Sequence, residues 1–377
     1  MTAQTRSAMS SVSEPTLYVA FELGATDWTL AMTSALGQVP WLRKVRAGDF
    51  PKLTRVLVEG RRQGGLPATA IVMSCYEAGR DGFWIHRALE AQGLRNRIVD
   101  SASIEVNRRA RRVKTDRIDA LKLVMMLVRA ASGEGRVWRE VHVPPVAAEA
   151  ARHVHRERTD LIAERTRVTN QIGSWLATYG CRRPRRPGPQ WWTAVRDWAD
   201  APLPAEVQAR VARAEARLAV LATQLAEVAV RQQAAVTAAP VDSALARLVQ
   251  LKGIAAAGAG VLLGEGLAWR GFQNRRQVGG LLGFTPMPYQ SGSQARDQGI
   301  DRAGNSRLRA VSIQLAWGWV RWQPSSALTQ WYQQRFGSHG GRARRIGIVA
   351  LARKLMIALW RWACHGVQPT GAILKVA

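Results

Sequence analysis

The chain of 377 residues is longer than one hydrophobic core usually organises, so its length predicts two or three domains. Its formal net charge of +27 comes from 54 Lys and Arg residues against 27 Asp and Glu residues, which predicts a polyanionic partner. The sequence contains no uncharged apolar stretch of about 20 residues that could span a membrane. These facts favour nucleic acid over a membrane surface as the partner.

The cysteines and the first residues indicate where the protein works. Cys75, Cys181 and Cys364 are odd in number and lack C-x-x-C spacing, so they predict neither a disulfide framework nor a zinc site. The first 15 residues are polar and lack the apolar core of a signal peptide. We therefore expect a cytoplasmic protein, associated with the nucleoid if its partner is DNA.

The first part of the chain predicts an α/β domain. The expected elements are strands at 17–23, 28–33 and 39–45, a helix at 51–63, a strand at 68–75, a helix at 83–92, a strand at 97–99 and a helix at 115–131. Three strands followed by alternating helices and strands are typical of a ribonuclease H-like domain, which we assign to residues 1–140.

The middle of the chain predicts a helical arm at residues 141–240. Residues 147–177 and 204–235 are rich in Ala, Arg, Glu, Leu and Gln, and apolar residues recur in the second stretch at three- and four-residue steps. This pattern predicts a coiled coil or a helical hairpin. The basic loop at 182–189 could contact a nucleic-acid backbone or serve as a solvated connector.

Residues 241–377 predict a mostly helical C-terminal domain. Around Gly253 the chain has a helix, a glycine turn and a second helix, similar to a helix-hairpin-helix element. In such an element the amides of the turn meet a DNA phosphate. A packed Gly/Ala turn is the alternative.

Four carboxylates are spaced as a Mg²⁺ site for phosphoryl transfer requires. Glu22 lies near the end of the first strand, Glu77 follows the fourth strand, and Asp116 and Asp119 begin a helix three residues apart. Hard cations select oxygen ligands, and two such ions can stabilise the attacking and leaving oxygens of a phosphate. The set therefore predicts a Mg²⁺ site.

Each acid also has a plainer interpretation. Glu22 could be exposed on an edge strand, and Asp116 or Asp119 could cap its helix. Asp27 and Asp100 are possible substitutes in the metal site, Asp100 especially, because it follows a strand.

A polar loop at residues 289–293 offers a hydroxyl in a basic region. Ser291 precedes Gly292, which would permit close approach of a phosphate. The residues that we expect to contact nucleic acid are Lys114, Arg117, Gly253, Gly292, Arg302, Asn305, Arg307 and Arg309. Ser/Gly loops are usually only connections, and no histidine base accompanies this one.

Four segments together resemble the insertion sequence 110 family of transposases. They are Tyr76 to Gly79, Lys114 to Ala120, the turn at Gly253, and the stretch from Pro286 through Ser291 to Asn305. These are DEDD-type recombinases with a RuvC-like N-terminal domain and a C-terminal transposase domain. The resemblance spans nearly the whole chain.

The resemblance implies roles for particular residues. Glu77, Asp116 and Asp119 would hold metal, and Ser291 would form a transient phosphoserine bond to DNA. It also implies a structured guide RNA, or bridge RNA, that pairs with donor and target DNA. The family usually has Asp as its first acid, whereas this chain has Glu22.

We therefore expect a DNA transposase that cuts and rejoins the strands of an insertion element as a homodimer or tetramer. Mg²⁺, Ser291 and the four acids would carry the reaction. Two alternatives stay open at this point. One is a RuvC-like structure-specific nuclease that uses water, and the other is a catalytically inactive nucleic-acid-binding relative, which Glu22 would explain.

Overall fold

The computed structural model describes residues 14–104, 115–185, 187–291 and 294–375. The chain divides into two compact units, Met1–Val143 and Pro144–Ala377, each with its own hydrophobic core. No helix in these ranges is long and apolar enough to cross a bilayer.

A five-stranded mixed sheet organises the first unit. Its strands are β1 (Thr16–Leu23), β2 (Asp27–Thr33), β3 (Trp41–Arg46), β4 (Ile71–Glu77) and β5 (Arg95–Val99). They lie in the order β3-β2-β1-β4-β5. The first three pair antiparallel, and β4 is parallel to both β1 and β5. The predicted sequence of three strands followed by alternating helices and strands is confirmed.

Helices cover both faces of this sheet. They are α1 (Phe50–Gln63), α2 (Trp84–Ala91) and α3 (Asp116–Ala131). On one face, large side chains of β1 such as Phe21 pack in one cluster with α1 and α2. On the other face, the small residues Ala20, Ala31 and Cys75 pack against α3. Because both faces are covered, β1 and β4 are apolar along most of their length.

Two long helices begin the second unit. α4 (Val146–Ala177) and α5 (Ala205–Thr237) run antiparallel. Trp175 near the end of α4 contacts Arg210 near the start of α5, and His155 near the start of α4 lines the same cavity as Gln232 near the end of α5. They share an apolar core with the segment that connects them. The two predicted helices are confirmed, while a coiled-coil geometry stays a prediction.

The remainder of the second unit is mostly helical. Its elements are α6 (Ala244–Gln250), α7 (Ala256–Leu262), a π-helical turn (Leu263–Leu267), α8 (Arg275–Leu282), β6 (Pro286–Ser291), β7 (Gln294–Ile300), α9 (Ser306–Trp322), α10 (Ala327–Phe336) and α11 (Gly341–His365). The buried side of α11 forms much of the core of this region.

Two of the predicted boundaries that differ from the structure concern candidate site residues. Glu77 is the last residue of β4 and does not follow the strand. Ser291 ends β6, which pairs antiparallel with β7, whereas we expected a loop over 289–293. The prolines of β6 are compatible with a strand because a two-stranded ribbon leaves an outer edge where no N–H is required. The ladder is also irregular between Pro286 and Pro288.

Candidate active site

The strand register brings two of the predicted acids side by side. Phe21 of β1 pairs with Tyr76 of the parallel strand β4, and the next residues along the two strands are Glu22 and Glu77. In neighbouring parallel strands, residues at the same level point to the same face. Glu22 and Glu77 therefore share the face that carries Ala20 and Cys75, the face covered by α3.

The N-terminus of α3 lies at the same end of this face. Thr115 caps the helix by accepting a hydrogen bond from the amide of Ile118 at 3.3 Å. Asp116 lines a shallow pocket with Thr29, the residue of β2 that pairs with Glu22. The fold thus brings the start of α3 to the strand end that carries the acids.

Asp119 occupies the inner side of the first turn of α3. One turn later, the carbonyl of Leu123 accepts a weak hydrogen bond from the Cys75 thiol at 3.8 Å, so this side of the helix faces β4. The Oδ2 atom of Asp119 is buried and has no hydrogen-bond partner among the described residues. A buried carboxylate oxygen without a donor costs stability unless a ligand satisfies it.

The four acids have the ligand chemistry that a hard divalent cation requires. All are carboxylates, and Asp119 has an oxygen free to coordinate. Within the described ranges, however, no three acidic, histidine or cysteine side chains are close enough together to hold a metal. The fold therefore gathers the acids at one edge of the sheet without closing them into a coordination shell.

Cations surround Asp116. The pocket beside it has a volume of about 350 Å³ and is lined by Arg43, Lys44 and Arg117 together with Thr29 and Leu42. Arginine and lysine next to a carboxylate site can neutralise a phosphate that approaches it. Of the predicted nucleic-acid contacts here, Arg117 is exposed in this pocket, whereas Lys114 lies outside the described residues.

The two substitute acids have other positions. Asp100 forms an ion pair with Arg139 at 3.1 Å. Asp27 is exposed at the start of β2 and accepts a hydrogen bond from the Thr26 hydroxyl at 3.2 Å. Neither has the buried, unpartnered oxygen of Asp119.

The ribbon that carries Ser291 rises from a close contact between two glycines. Gly283 ends α8 with a φ of +63°, and a side chain there would meet the amide of Gly304 at 2.7 Å. A side chain on Gly304 would overlap the backbone of residues 281–283. The base of the ribbon therefore requires glycine on both sides, while the Ser291 side chain and Gly292 lie outside the described part of the chain.

Two of the predicted nucleic-acid contacts have structural hydrogen bonds. Asn305 caps α9, because its side-chain oxygen accepts from the amide of Leu308 at 3.0 Å. The Arg309 guanidinium donates to the carbonyl of Leu282 at 3.0 Å and to that of Arg302 at 3.2 Å. These bonds tie α9 to the base of the ribbon.

The side chains of Arg302 and Arg307, the other two predicted contacts in this region, have a less structural role. The Arg302 side chain is exposed, on a backbone whose φ is +58°. Arg307 is half-buried, and its Nη1 atom lies 3.9 Å from Asp160.

A buried acid that the sequence analysis did not single out lies beside Asn305. Glu265, on the π-helical turn, is 1% exposed. Its carboxylate accepts hydrogen bonds from His155 at 2.9 Å, from Arg156 at 2.8 and 3.1 Å, and from the Asn305 amide at 2.9 Å. Its position in the apolar run of residues 261–267 is the same signal that singled out Glu22, an acid interrupting hydrophobic residues.

The environment of Glu265 keeps it ionised. Burial opposes ionisation, but the hydrogen bonds from His155, Arg156 and Asn305 outweigh it and hold the pKa of Glu265 far below its ordinary value of 4.5. Gly264 allows this cluster to form, since a side chain there would lie 2.5 Å from the His155 ring. Glu265 therefore joins α4, the π-helical turn and the cap of α9.

The predicted glycine turn is present between α6 and α7. Gly253 has a φ of +93°, and a side chain there would meet Trp322 at 3.1 Å. Two amides of the turn are already bonded, because Lys252 donates to the Ile373 carbonyl at 3.0 Å and Ile254 to the Leu251 carbonyl at 3.1 Å. The turn is therefore packed against Trp322 on one side, while Lys252 and Gly253 remain exposed. Phosphate binding by this turn stays a prediction.

Comparison with known proteins identifies the family. Residues 245–331, which include the ribbon and all of α9, match the model of the transposase IS116/IS110/IS902 family. The chain is 40% identical to "Putative transposase y4rJ" of Sinorhizobium fredii, over 95% of this chain and 94% of that protein. It is 25% identical to the transposase for insertion sequence element IS1328 of Yersinia enterocolitica, over 56% of this chain and 62% of that protein.

The first relative covers both compact units, so the likeness is not confined to one region. The resemblance inferred from the motifs is confirmed, and the chain belongs to the IS116/IS110/IS902 family of transposases.

Proposed function

We propose that this transposase cuts and rejoins the DNA strands of an insertion element, with Ser291 as nucleophile and with Glu22, Glu77, Asp116 and Asp119 as ligands of Mg²⁺. The buried, unpartnered oxygen of Asp119 carries the metal part of the proposal. It lies on the helix whose N-terminus, which carries Asp116, meets the strand end that carries Glu22 and Glu77. The N-terminal unit is then a RuvC-like, ribonuclease H-like domain.

The acids and the cations beside them have separate tasks. Bound Mg²⁺ would supply Lewis-acid polarisation of the scissile phosphate. Arg43, Lys44 and Arg117 bind the phosphate electrostatically and offset its charge. The acids in turn balance these cations.

The serine step conserves the energy of the phosphodiester. The Ser291 oxygen attacks phosphorus and loses its proton to solvent, while the bond from phosphorus to one DNA oxygen breaks and that oxygen takes up a proton. A DNA hydroxyl later attacks the phosphoserine, which restores the serine hydroxyl and forms the new strand. No external energy source is required.

Glu22 is the departure from the family pattern that the site must tolerate. It keeps the carboxylate on a side chain longer by one methylene, and it lies directly beside Glu77 across the parallel pair. We propose that this length is accommodated at the open edge of the sheet.

The wider assembly belongs to the same proposal. Strand exchange joins two DNA sites, so we propose a homodimer or tetramer that works with a structured guide RNA. The charge of +27 suits several nucleic-acid partners. Sequencing the RNA that copurifies with the full chain tests the guide, and the recovery of only random fragments would refute it.

Trapping of a covalent adduct tests the serine. Cells that carry the gene with its natural flanking DNA are lysed under denaturing conditions, and protein linked to DNA is measured together with transposition. We expect Ser291→Ala to abolish both signals and Ser293→Ala, its matched neighbour, to keep both. Strand cleavage without any adduct would instead support the nuclease that uses water. Cleavage that survives in Asp119→Asn would refute the metal site, and no cleavage by the unaltered chain would support the inactive relative.

A further inference from the structure

A basic groove runs along the α4–α5 pair. It has a volume of about 770 Å³ and is lined by Arg167, Gln171, Trp175, Glu206, Arg210, Arg213 and Arg217. All four arginines are exposed. Glu206 is the acid among the lining residues, so the groove carries a clear excess of positive charge.

The arginines of α5 are not balanced within the protein. Arg210, Arg213 and Arg217 form no ion pair among the described residues, and their spacing of three and four places them on one side of the helix. Glu215 lies between them in sequence but pairs with Arg183 at 2.9 Å. Like charges at this spacing destabilise a helix, and an anion bound among them would relieve that repulsion.

One arginine is held in place by a ring. The guanidinium of Arg210 lies 4.0 Å from the centre of the Trp175 ring. Stacking on an aromatic ring restricts this long side chain while leaving its N–H groups available. Arg210 is therefore prepared for a phosphate before one arrives.

We propose that this groove, Arg167–Trp175 on α4 and Arg210–Arg217 on α5, binds the phosphate backbone of duplex DNA. Arg210 and Arg217 are seven residues apart, about 10 Å along the helix, a length over which one DNA strand presents about three phosphates. The groove is a second DNA contact, made by different residues from those at the acids and the ribbon.

The features of the groove disfavour other occupants. Sites for single strands offer free aromatic faces for base stacking, whereas Arg210 covers Trp175. A second copy of this chain would bring its own positive charge, since Lys and Arg outnumber Asp and Glu by 54 to 27. An open, cationic groove with a pinned arginine suits the backbone of a duplex.

The test measures DNA binding by the full chain without metal. Fluorescence anisotropy with a labelled duplex, over a series of NaCl concentrations, gives the affinity and its salt slope. Arg210→Gln with Arg213→Gln is compared with Arg165→Gln with Arg231→Gln, which removes the same charge from exposed positions of the same helices outside the groove.

We expect the groove pair to weaken binding at least about tenfold near 0.1 M salt and to lower the salt slope by about two, one for each lost phosphate contact. The control pair should change affinity less than about twofold. Arg217→Gln alone should lower the slope by about one, which keeps the test valid if the double variant does not fold. Trp175→Leu should weaken binding and leave the slope unchanged.

The proposal would be overturned if the groove double variant and the control double variant lost DNA affinity equally, or if the groove variants bound duplex DNA as tightly as the unaltered chain. So would a loss confined to single-stranded RNA or DNA with duplex binding intact. The inference rests on the proposed function only in taking DNA as the partner. Because binding is measured without cleavage, a chain that binds through the groove yet forms no serine adduct would refute the catalytic proposal alone.

Discussion

Glu265 is buried and Asp119 is half-buried with one buried carboxylate oxygen, and the surroundings of the two acids differ. Glu265 accepts hydrogen bonds from three side chains and is held ionised. Asp119 has a buried oxygen with no partner among the described residues. A satisfied buried carboxylate stabilises the fold, whereas an unsatisfied one costs stability and is expected where a ligand completes it. The comparison separates an acid that maintains structure from one that we propose performs chemistry.

Removing the proposed metal ligands should have the largest effect. Asp116→Asn combined with Asp119→Asn should lower transposition about 1,000-fold or more, because several kcal/mol of transition-state stabilisation are lost. The assay is the transposition frequency in cells that carry the natural flanking DNA. Asp100→Asn serves as control, since Asp100 is already paired with Arg139. Equal losses in both variants would break the distinction between paired and unpaired acids.

Disrupting the buried acid should mainly reduce stability. Glu265→Gln leaves His155 and Arg156 without their anion, so the free energy of unfolding should fall by about 3 kcal/mol. Urea denaturation measures it. Glu164→Gln, which removes the exposed partner of Arg167 at 3.4 Å, should cost less than about 1 kcal/mol. Similar losses in the free energy of unfolding for the two variants would show that burial does not determine how much an ion pair contributes to stability.

The pH dependence should follow the lowered pKa of Glu265. A carboxyl group whose pKa is lower in the folded state stabilises the protein above its unfolded pKa of about 4.5 and loses that contribution as the pH falls towards the folded value. The free energy of unfolding should therefore decline below about pH 4.5, and less steeply in Glu265→Gln. Parallel curves for the two proteins would contradict the assignment.

The smallest effect distinguishes the two bonds of Asn305. Asn305→Ser keeps an oxygen to cap α9 and loses the bond to Glu265, whereas Asn305→Ala loses both. We expect the alanine variant to be less stable than the serine variant by about 1 kcal/mol, the usual contribution of a helix cap. Thermal melting with matched protein concentrations measures the difference. Identical melting curves would show that the Asn305 cap does not stabilise α9.

The sequence predicted the elements that carry the four acids better than the ribbon that carries Ser291. Apolar runs ended by Glu22 and Glu77 specify strands on their own, and Thr115 marks the start of α3 in the local sequence. The ribbon at Ser291 could not be predicted in this way, because its strands are polar and contain prolines. The position of the ribbon depends on the close contact of Gly283 with Gly304, which lies on the far side of the ribbon in sequence.

The Glu265 cluster was missed for a related reason. Its partners His155 and Asn305 are 110 and 40 residues away in sequence, so only the folded chain brings them together. An acid in the apolar run of residues 261–267 was the available signal. It indicates burial, but local sequence does not reveal whether a buried acid has donors.

One paired measurement tests the central distinction most directly. The free energy of unfolding and the transposition frequency are determined for Asp119→Asn and Glu265→Gln beside the unaltered chain. We predict that Asp119→Asn loses transposition while its stability stays the same or increases, and that Glu265→Gln loses about 3 kcal/mol of stability. If Asp119→Asn instead retains transposition, or is destabilised as much as Glu265→Gln, Asp119 has a structural role and the proposed metal site is wrong.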